Sequence, residues 1–488
     1  MQFEDYLKNT GEYGIVEEVF YPICKCSGLP GARVSEIIIF EEGGQGKVLT
    51  LNKDSVEILI FSDSKITVGS KVARTGEFLH VLAGEQLLGK VIDPLGNLYF
   101  EDKDFKKPTV KMDVDIHPDS ISARTRIKKQ LVTGITLIDQ LIPLGMGQRE
   151  LIVGDRKTGK TGTILSIIKH QVELGTIVVY AAIGKRSIEI KKLKQDFENV
   201  GILKNVCIVA SSSSDSPSLV DLSPYSAMGI ADYFKSIKKD VLIVFDDLST
   251  HAKYYREISL IAKKFPGRDS YPGDIFYKHA KLLERAGNYL VDGGDVSITA
   301  LPVAETVEGE LTDYITSNLI SITDGHILFD QNSFNKGIRP AVNVFLSVTR
   351  VGKQTQTPLC RDTTRTVLEF LTKYDRALEF SHFGSELSPE SKQVLTKGEK
   401  MYKLFEQNIN QSIPLEVQLF LISVIWNDLL PELKPSFIPV LKDKILNLFN
   451  TDKSLKADLQ NIFKLKNFVD YSNKIVEQKE KYLKVCRI

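Results

Sequence analysis

The stretch RELIVGDRKTGKTGTILSIIKHQVE, Arg149 to Glu173, decides how the rest of the chain is read. RELIV is a short apolar run, which predicts a buried strand. TGTILSIIKHQVE carries apolar residues at helical spacing. Between them, Gly154-Asp155-Arg156-Lys157-Thr158-Gly159-Lys160-Thr161 fits GxxxxGK[ST] in the strand–loop–helix context that the motif requires. The glycines let backbone amides curl around phosphate oxygens, and the start of the helix adds a favourable dipole. Lys160 is expected to reach the β and γ phosphates of a nucleotide, and the Thr161 hydroxyl to ligate Mg²⁺. Gly162 completes the expected phosphate-binding set. The alternative is a chance glycine turn, which the correct flanks argue against.

Outward from this loop, three patterns follow one another. Residues 1–82 are expected to form an N-terminal β-barrel domain. Runs such as GIVEEVFYPICKC, VSEIIIFE, GKVLTLN and SVEILIF alternate with Gly, Asn and Asp turns at the spacing of a small closed barrel. Residues 83–356 read as α/β. Apolar strands (TIVVYAAI, NVCIVAS, DVLIVFDD, VSITALPV, LISITDGHILF) are separated by helix-like segments, as in a buried parallel sheet. Residues 357–488 carry apolar positions at helical spacing, for example in RTVLEFLTKYDRALEF and LEVQLFLISVIWNDLL. The expected fold is therefore multidomain: a β-barrel, a central α/β P-loop nucleotide-binding domain and a C-terminal α-helical domain.

The 488 residues suffice for about three such domains. The 42% apolar and 26% charged composition is that of an ordinary globular protein. A net charge of +1 gives no field for nucleic acid or an anionic membrane. The N-terminus MQFEDYLKNT lacks the apolar core of a secretory signal, and no run approaches the ~18 apolar residues of a membrane span. A soluble chain is expected, one that can still belong to a membrane-attached machine. Cys24, Cys26, Cys207, Cys360 and Cys486 are scattered and odd in number, without zinc spacing, so reduced thiols are expected.

VLIVFDD places Asp246 and Asp247 at the tip of an apolar strand. Aspartates often end strands as turn residues. After a good phosphate loop, however, the first of them is the expected water-bridged partner of Mg²⁺. Hydrolysis also needs a group that positions the attacking water. In recombinase-like P-loop proteins this is a glutamate at the tip of the strand after the phosphate-loop helix. Here that strand, in YAAIGKRS, ends Gly184-Lys185-Arg186. A lysine at neutral pH only donates and cannot take the proton. Glu189 falls within the next helix, and Glu305 in ALPVAET is the other candidate base. Binding without efficient hydrolysis is the expectation. VNVFLSVTRVG ends an apolar strand at Arg350. That residue is either a solvated strand end or, in a ring of P-loop subunits, a cation that reaches a neighbour's γ-phosphate.

Several stretches together resemble the alpha-subunit branch of the F-type ATP synthase family. They are TGITLIDQLIPLGMGQRELIVGDRKTGKT, VLIVFDDLSTHAKYYREISL, FPGRDSYPGDIFYKHAKLLERA, ITALPVAET, ITDGHILFDQNSFNKGIRPAVNVFLSVTRVG and FGSELSPESKQVLTKG. The match is dense over about 130–400 and looser outside. The resemblance implies alpha-type subunits alternating with beta-type catalytic subunits in a three-plus-three ring around a central gamma-type shaft. It further implies stator and membrane-rotor subunits and a peripheral position on the cytoplasmic side of a membrane. Such a chain binds ATP (or ADP) with Mg²⁺ without turning it over, and only the complex is an enzyme. Carried over by position, Arg156 to Thr161 hold the phosphates. Arg350 becomes an arginine finger on the neighbouring beta subunit's nucleotide. Arg339 and Gln407 frame the adenine side. The loop with Pro266, Gly267, Arg268, Pro272, Gly273 and Asp274 forms the bearing around the shaft.

The chain departs from the family pattern in places. Lys157 and Lys185 stand where glutamine is usual, the latter by substitution or by a one-residue deletion, and Ile409 stands where a second glutamine is expected beside the adenine. GEYGIVEEV begins at Gly11. The segment before it is shorter than the family's amphipathic stretch for stator docking, which implies a different or missing attachment. A paralogous head, uncoupled from proton transport, driving mechanical work and lying free in the cytoplasm, is the alternative reading. A self-sufficient hexameric motor would need a catalytic carboxylate in this chain.

Overall fold

The structure is a computed structural model that describes residues 3–62, 66–382, 388–409 and 411–486. The first five residues of FGSELSPESKQVLTKG, 383–387, lie outside the described residues. The chain divides into two compact units, neither continuous in sequence. One comprises Met1–Arg126 and Gly175–Thr323, the other Ile127–Leu174 and Asp324–Ile488.

The first unit begins with the helix Phe3–Thr10 and a closed six-stranded barrel. Around the barrel the strands run Tyr13–Phe20, Ile23–Ser27, Val56–Ile60, Gln45–Leu51, Glu36–Phe40 and Lys71–Phe78, all antiparallel. Alternate residues point inward, so Val16, Cys24, Cys26, Ile38, Phe40, Val48, Ile58, Ile60 and Val72 fill the interior. Closure leaves no free edge. All five cysteines are buried and unpaired as disulfides.

The same unit carries a parallel sheet in the order Gly294–Thr306, Val241–Asp246, Ile177–Lys185, Val206–Ser212 and Val91–Ile92. Its central strands are buried almost throughout, as expected of strands covered on both faces. Parallel pairing sets all their C-terminal ends on one edge, where Lys185 and Asp246 emerge. The long helix Pro217–Ser236 packs on this sheet.

That helix buries a carboxylate. Both Asp221 oxygens accept from Lys278 Nζ, at 3.0 and 3.1 Å, and His251 Nε2 lies 3.1 Å from Oδ1. Burial opposes ionisation of Asp221, but the Lys278 ammonium and His251 outweigh it and lower its pKa. Lys278→Met leaves this charge without its main partner and is expected to destabilise the protein by about 3 kcal/mol. The urea midpoint measures this. A lowered carboxylate pKa stabilises above the ordinary aspartate value and loses its effect as pH falls. The acid-side loss of stability should therefore be shallower in Lys278→Met.

The second unit holds the parallel strands Glu150–Asp155 and Gly325–Phe329, with Val348–Thr349 antiparallel to the latter. The helix Lys160–Glu173 follows the first strand. A short antiparallel pair, Gln130–Leu131 with Leu144–Gly145, lies in the same unit, and its long helices are Pro358–His382, Pro389–Phe405, Leu415–Trp426, Ile438–Thr451, Lys453–Ile462, Phe468–Glu477 and Lys479–Cys486. Leu415–Trp426 is buried almost all round and forms the centre of this helical region. Among the described residues no helix is long and apolar enough to cross a membrane.

Candidate functional site: phosphate loop, acidic strand end and Arg350

The phosphate loop leaves its strand at Gly154, where a side chain is excluded. A Cβ there would lie 2.5 Å from the Phe329 carbonyl oxygen. Gly159, with φ of 91°, makes the left-handed turn into the helix Lys160–Glu173. Thr158 Oγ1 donates to the Asp155 carbonyl at 2.8 Å and braces the loop from inside. Lys160 is 8% exposed, and its Nζ donates to the carbonyls of Gly154 at 2.7 Å and Asp155 at 2.6 Å. The ammonium is thus gathered into the loop. Thr161 stands exposed in the first helical turn, as do Arg156 and Lys157 in the loop.

Around this loop the same unit assembles a second group. The Arg339 guanidinium stacks 3.4 Å from the centroid of the Phe334 ring, and its Nη1 donates to the Phe334 and Ile338 carbonyls at 2.8 Å each. Phe334 in turn flanks Gly159, 3.4 Å from where a Cβ would sit. Ile409 leans on Gly162, 2.9 Å from a Cβ there. Gln407 is brought alongside, since its backbone N–H donates to the Arg339 carbonyl at 2.7 Å. Its side chain, however, is fully engaged. Oε1 accepts from Thr136 N at 3.1 Å and Oγ1 at 3.2 Å, while Nε2 donates to the carbonyls of Gly134 at 2.7 Å and Gln411. The Gln407 amide ties loops together rather than facing outward. Phe334 was not singled out from the sequence; an aromatic in QNSFNKG carries no signal without the fold.

In the first unit, Ala182 and Asp246 are register partners on neighbouring parallel strands, which brings Lys185 back onto the acidic strand end. Lys185 Nζ lies 2.8 Å from Asp246 Oδ1 and 3.8 Å from Asp247 Oδ2. The other oxygen, Asp246 Oδ2, accepts from the Tyr180 hydroxyl at 2.7 Å. Burial works against the Lys185 ammonium, but Asp246, then Asp247, and more weakly Glu305, outweigh it and raise its pKa. Asp247 caps the helix Leu248–Ile261 through Thr250 N at 2.5 Å. Glu189 is tied to Arg186, whose Nη2 donates at 2.6 Å and whose backbone N–H donates at 3.1 Å, closing a capping box on the helix Ser187–Asn199. It is a helix-start residue and not a poised base.

Arg350 has an exposed side chain on a fixed backbone. Its N–H donates to the Asp324 carbonyl at 3.0 Å. The Asp324 carboxylate is gripped by Arg149, with Nη2 to Oδ1 at 2.7 Å and Nε to Oδ2 at 3.1 Å. Next to it, Thr349 Oγ1 donates to the Pro143 carbonyl at 2.9 Å and receives Gly352 N at 3.1 Å. Glu150 is fully buried behind this strand, with Gln148 Nε2 donating to it at 2.6 Å. Its pKa is well above the ordinary range because of burial, opposed by the Gln148 bond and by the Arg350 charge. Thr349 pairs with Gly325, and Gly325 with Glu150. Arg350 therefore sits at the opposite end of that strand from the phosphate loop, about 15 Å away at ~3.3 Å per residue. An arginine side chain does not span that distance.

The loop Pro266 to Asp274 is stiffened rather than loose. Gly267 N donates to the Tyr271 carbonyl at 2.7 Å, the Arg256 guanidinium stacks 4.7 Å from the Tyr271 ring, and Asp274 accepts from Tyr255 at 2.7 Å. Phe265, just before it, is 96% exposed.

The nucleotide-binding domain of the ATP synthase alpha/beta family matches residues 134–349, and the C-terminal domain of the ATP synthase alpha/beta chain matches 356–481. The chain belongs to the ATP synthase alpha/beta family. It is 41% identical over 416 residues to the ATP synthase subunit alpha of Dictyoglomus turgidum, covering 85% of this chain and 82% of that one. It is 35% identical over 486 residues to the ATP synthase subunit alpha of Mesomycoplasma hyopneumoniae strain 7448, covering 98% and 96%. A third relative, ATP synthase subunit alpha 1 of Mycoplasmopsis pulmonis, is 37% identical over 468 residues, covering 94% and 87%. All three relatives are alpha subunits.

Proposed function

We propose that this chain is the non-catalytic, nucleotide-holding alpha-type subunit of a rotary F-type ATP synthase or ATPase, and that it lends Arg350 to a neighbouring beta-type subunit. The observation that carries this reading is the strand end at Gly184 and Lys185. A fixed ammonium stands where a carboxylate would have to receive the proton of an attacking water, while the phosphate loop is intact.

Residues Gly154 to Gly162 hold the phosphates, with Lys160 as the cation that serves the phosphate oxygens. Arg339 and Phe334 form one wall of the base side, and Ile409 another. Gln407 is left out of this set because both ends of its amide are engaged. Thr161 and Asp246 supply hydroxyl and carboxylate oxygens, the donors that suit Mg²⁺. The metal, when bound, neutralises phosphate charge. The separation of Arg350 from this chain's own loop supports action across an interface. Assembly into a three-plus-three ring with a central shaft at Pro266–Asp274, in a head peripheral to a membrane, completes the proposal.

Purified alone, the chain is expected to bind Mg-ATP, read by calorimetry, with no phosphate release above the buffer blank. Sustained hydrolysis by the isolated chain would overturn the non-catalytic assignment.

A further inference from the structure

We propose that Lys442 is a positioning residue for the base of the bound nucleotide. From a neighbouring helix it fixes the loop that carries Gln407 and Ile409, and so sets the wall against which the base lies. The inference rests on the nucleotide-binding function proposed above and names what shapes the base side of that site. Every residue it uses lies in the unit that holds the phosphate loop.

Lys442 stands where helical spacing calls for a hydrocarbon. The helix Ile438–Thr451 buries Ile438, Leu441, Ile445 and Phe449, and Lys442 falls on that same face, 2% exposed. A buried ammonium is costly unless its protons are taken up. Here Nζ donates to the Leu404 carbonyl at 3.1 Å and to the Glu406 carbonyl. Burial lowers its pKa to about 8, opposed by the Asp443 and Glu406 charges, so it still carries its charge at pH 7. The Glu406 carboxylate is itself held by Lys403 Nζ, at 2.8 and 2.9 Å.

Those carbonyls mark the exit of the helix Pro389–Phe405. The last carbonyls of a helix have no partner within it, and a glycine in the left-handed conformation just past the end commonly closes them. Phe405-Glu406-Gln407 offers no glycine, and Glu406 is extended, with φ of −64° and ψ of 129°. Lys442 takes over as the cap, and its positive charge suits a helix C-terminus. The next residue on its helix fastens the far side of the loop, where Asp443 Oδ1 accepts from Gln411 Nε2 at 2.6 Å. Between these two ties the Gln407 N–H meets the Arg339 carbonyl, and Ile409 rests on Gly162. The direction in which the chain leaves Phe405 therefore decides where Ile409 stands against the phosphate-loop helix.

The test compares the full-length wild type with Lys442→Met at neutral pH. Two probes are read by calorimetry: ATP directly, and inorganic tripolyphosphate by displacement of ATP. Methionine keeps a similar volume and removes the donors. Lys442→Met should weaken ATP by about tenfold, the effect of leaving about a tenth of the molecules with the loop in place. Tripolyphosphate has no base, and its affinity should change by less than about twofold. Damage to the fold as a whole would weaken both probes alike. Lys442→Gln keeps a donor group and should lose about threefold on ATP alone; it carries the comparison if Lys442→Met does not fold. Unchanged ATP affinity, or equal losses for both probes, would overturn the inference while leaving the subunit function standing. A wild-type chain that binds neither probe overturns the subunit function itself, and this inference with it.

Discussion

Arg350→Lys, introduced into the assembled ring, is expected to lower ATP turnover by roughly 10³- to 10⁵-fold, the usual worth of an arginine supplied in trans. Nucleotide binding by this chain alone should not change. The two readouts diverge because of where the residue sits. Its backbone is fastened to Asp324, and Asp324 is clamped by Arg149. Thr349, Pro143 and Gly352 lock the next residues, and a Cβ at Gly352 would lie 1.6 Å from the Pro143 carbonyl oxygen. Only the guanidinium is free to project. Lysine preserves a positive charge but loses the planar fork that spreads over phosphoryl oxygens. A ring that turns over normally with Arg350→Lys would remove this residue from the catalytic site. A loss of ATP binding by the isolated variant would place it on this chain's own nucleotide, contrary to the separation along the strand.

Lys160→Met is the second large effect. ATP affinity of the isolated chain should fall by about 100-fold, which is about 2.7 kcal/mol. Hydrogen bonds to charged groups contribute about 1.5–3 kcal/mol each, and this ammonium is expected to serve phosphate oxygens. Its Nζ donates to the carbonyls of Gly154 and Asp155. Methionine fills a similar volume without the charge and removes the buried donor to the Gly154 carbonyl, so melting temperature should also fall. Unchanged ATP affinity would show that the loop binds phosphate through its backbone alone.

The sequence carried the parts of this site that depend on local pattern. The phosphate loop is legible because its glycines, lysine and threonine must keep a fixed spacing between a strand and a helix. The barrel is legible because its strands alternate inward and outward residues, as in Val16, Ile38 and Val48. What escaped depends on chain segments far apart. Lys185 and Asp246 meet only because two parallel strands lie side by side in one register. Gln407 reads as a site residue by position, yet its amide finds Thr136 and Gly134, more than 270 positions earlier. Phe334 gains meaning from Arg339 on one face and Gly159 on the other. The joining of Ile127–Leu174 with Asp324–Ile488 into one unit leaves no mark on composition at all.

Ile409 rests on Gly162 with 57% of its surface open. A hydrocarbon there offers a heterocycle contact area but no donor or acceptor for its edge. Discrimination between purines comes chiefly from hydrogen-bonding groups left unsatisfied by the wrong one, whereas apolar walls reject isosteres weakly. With the Gln407 amide turned inward as well, adenine and guanine nucleotides should compete for this chain on nearly equal terms. Its occupancy would then follow the combined purine triphosphate pool rather than ATP alone.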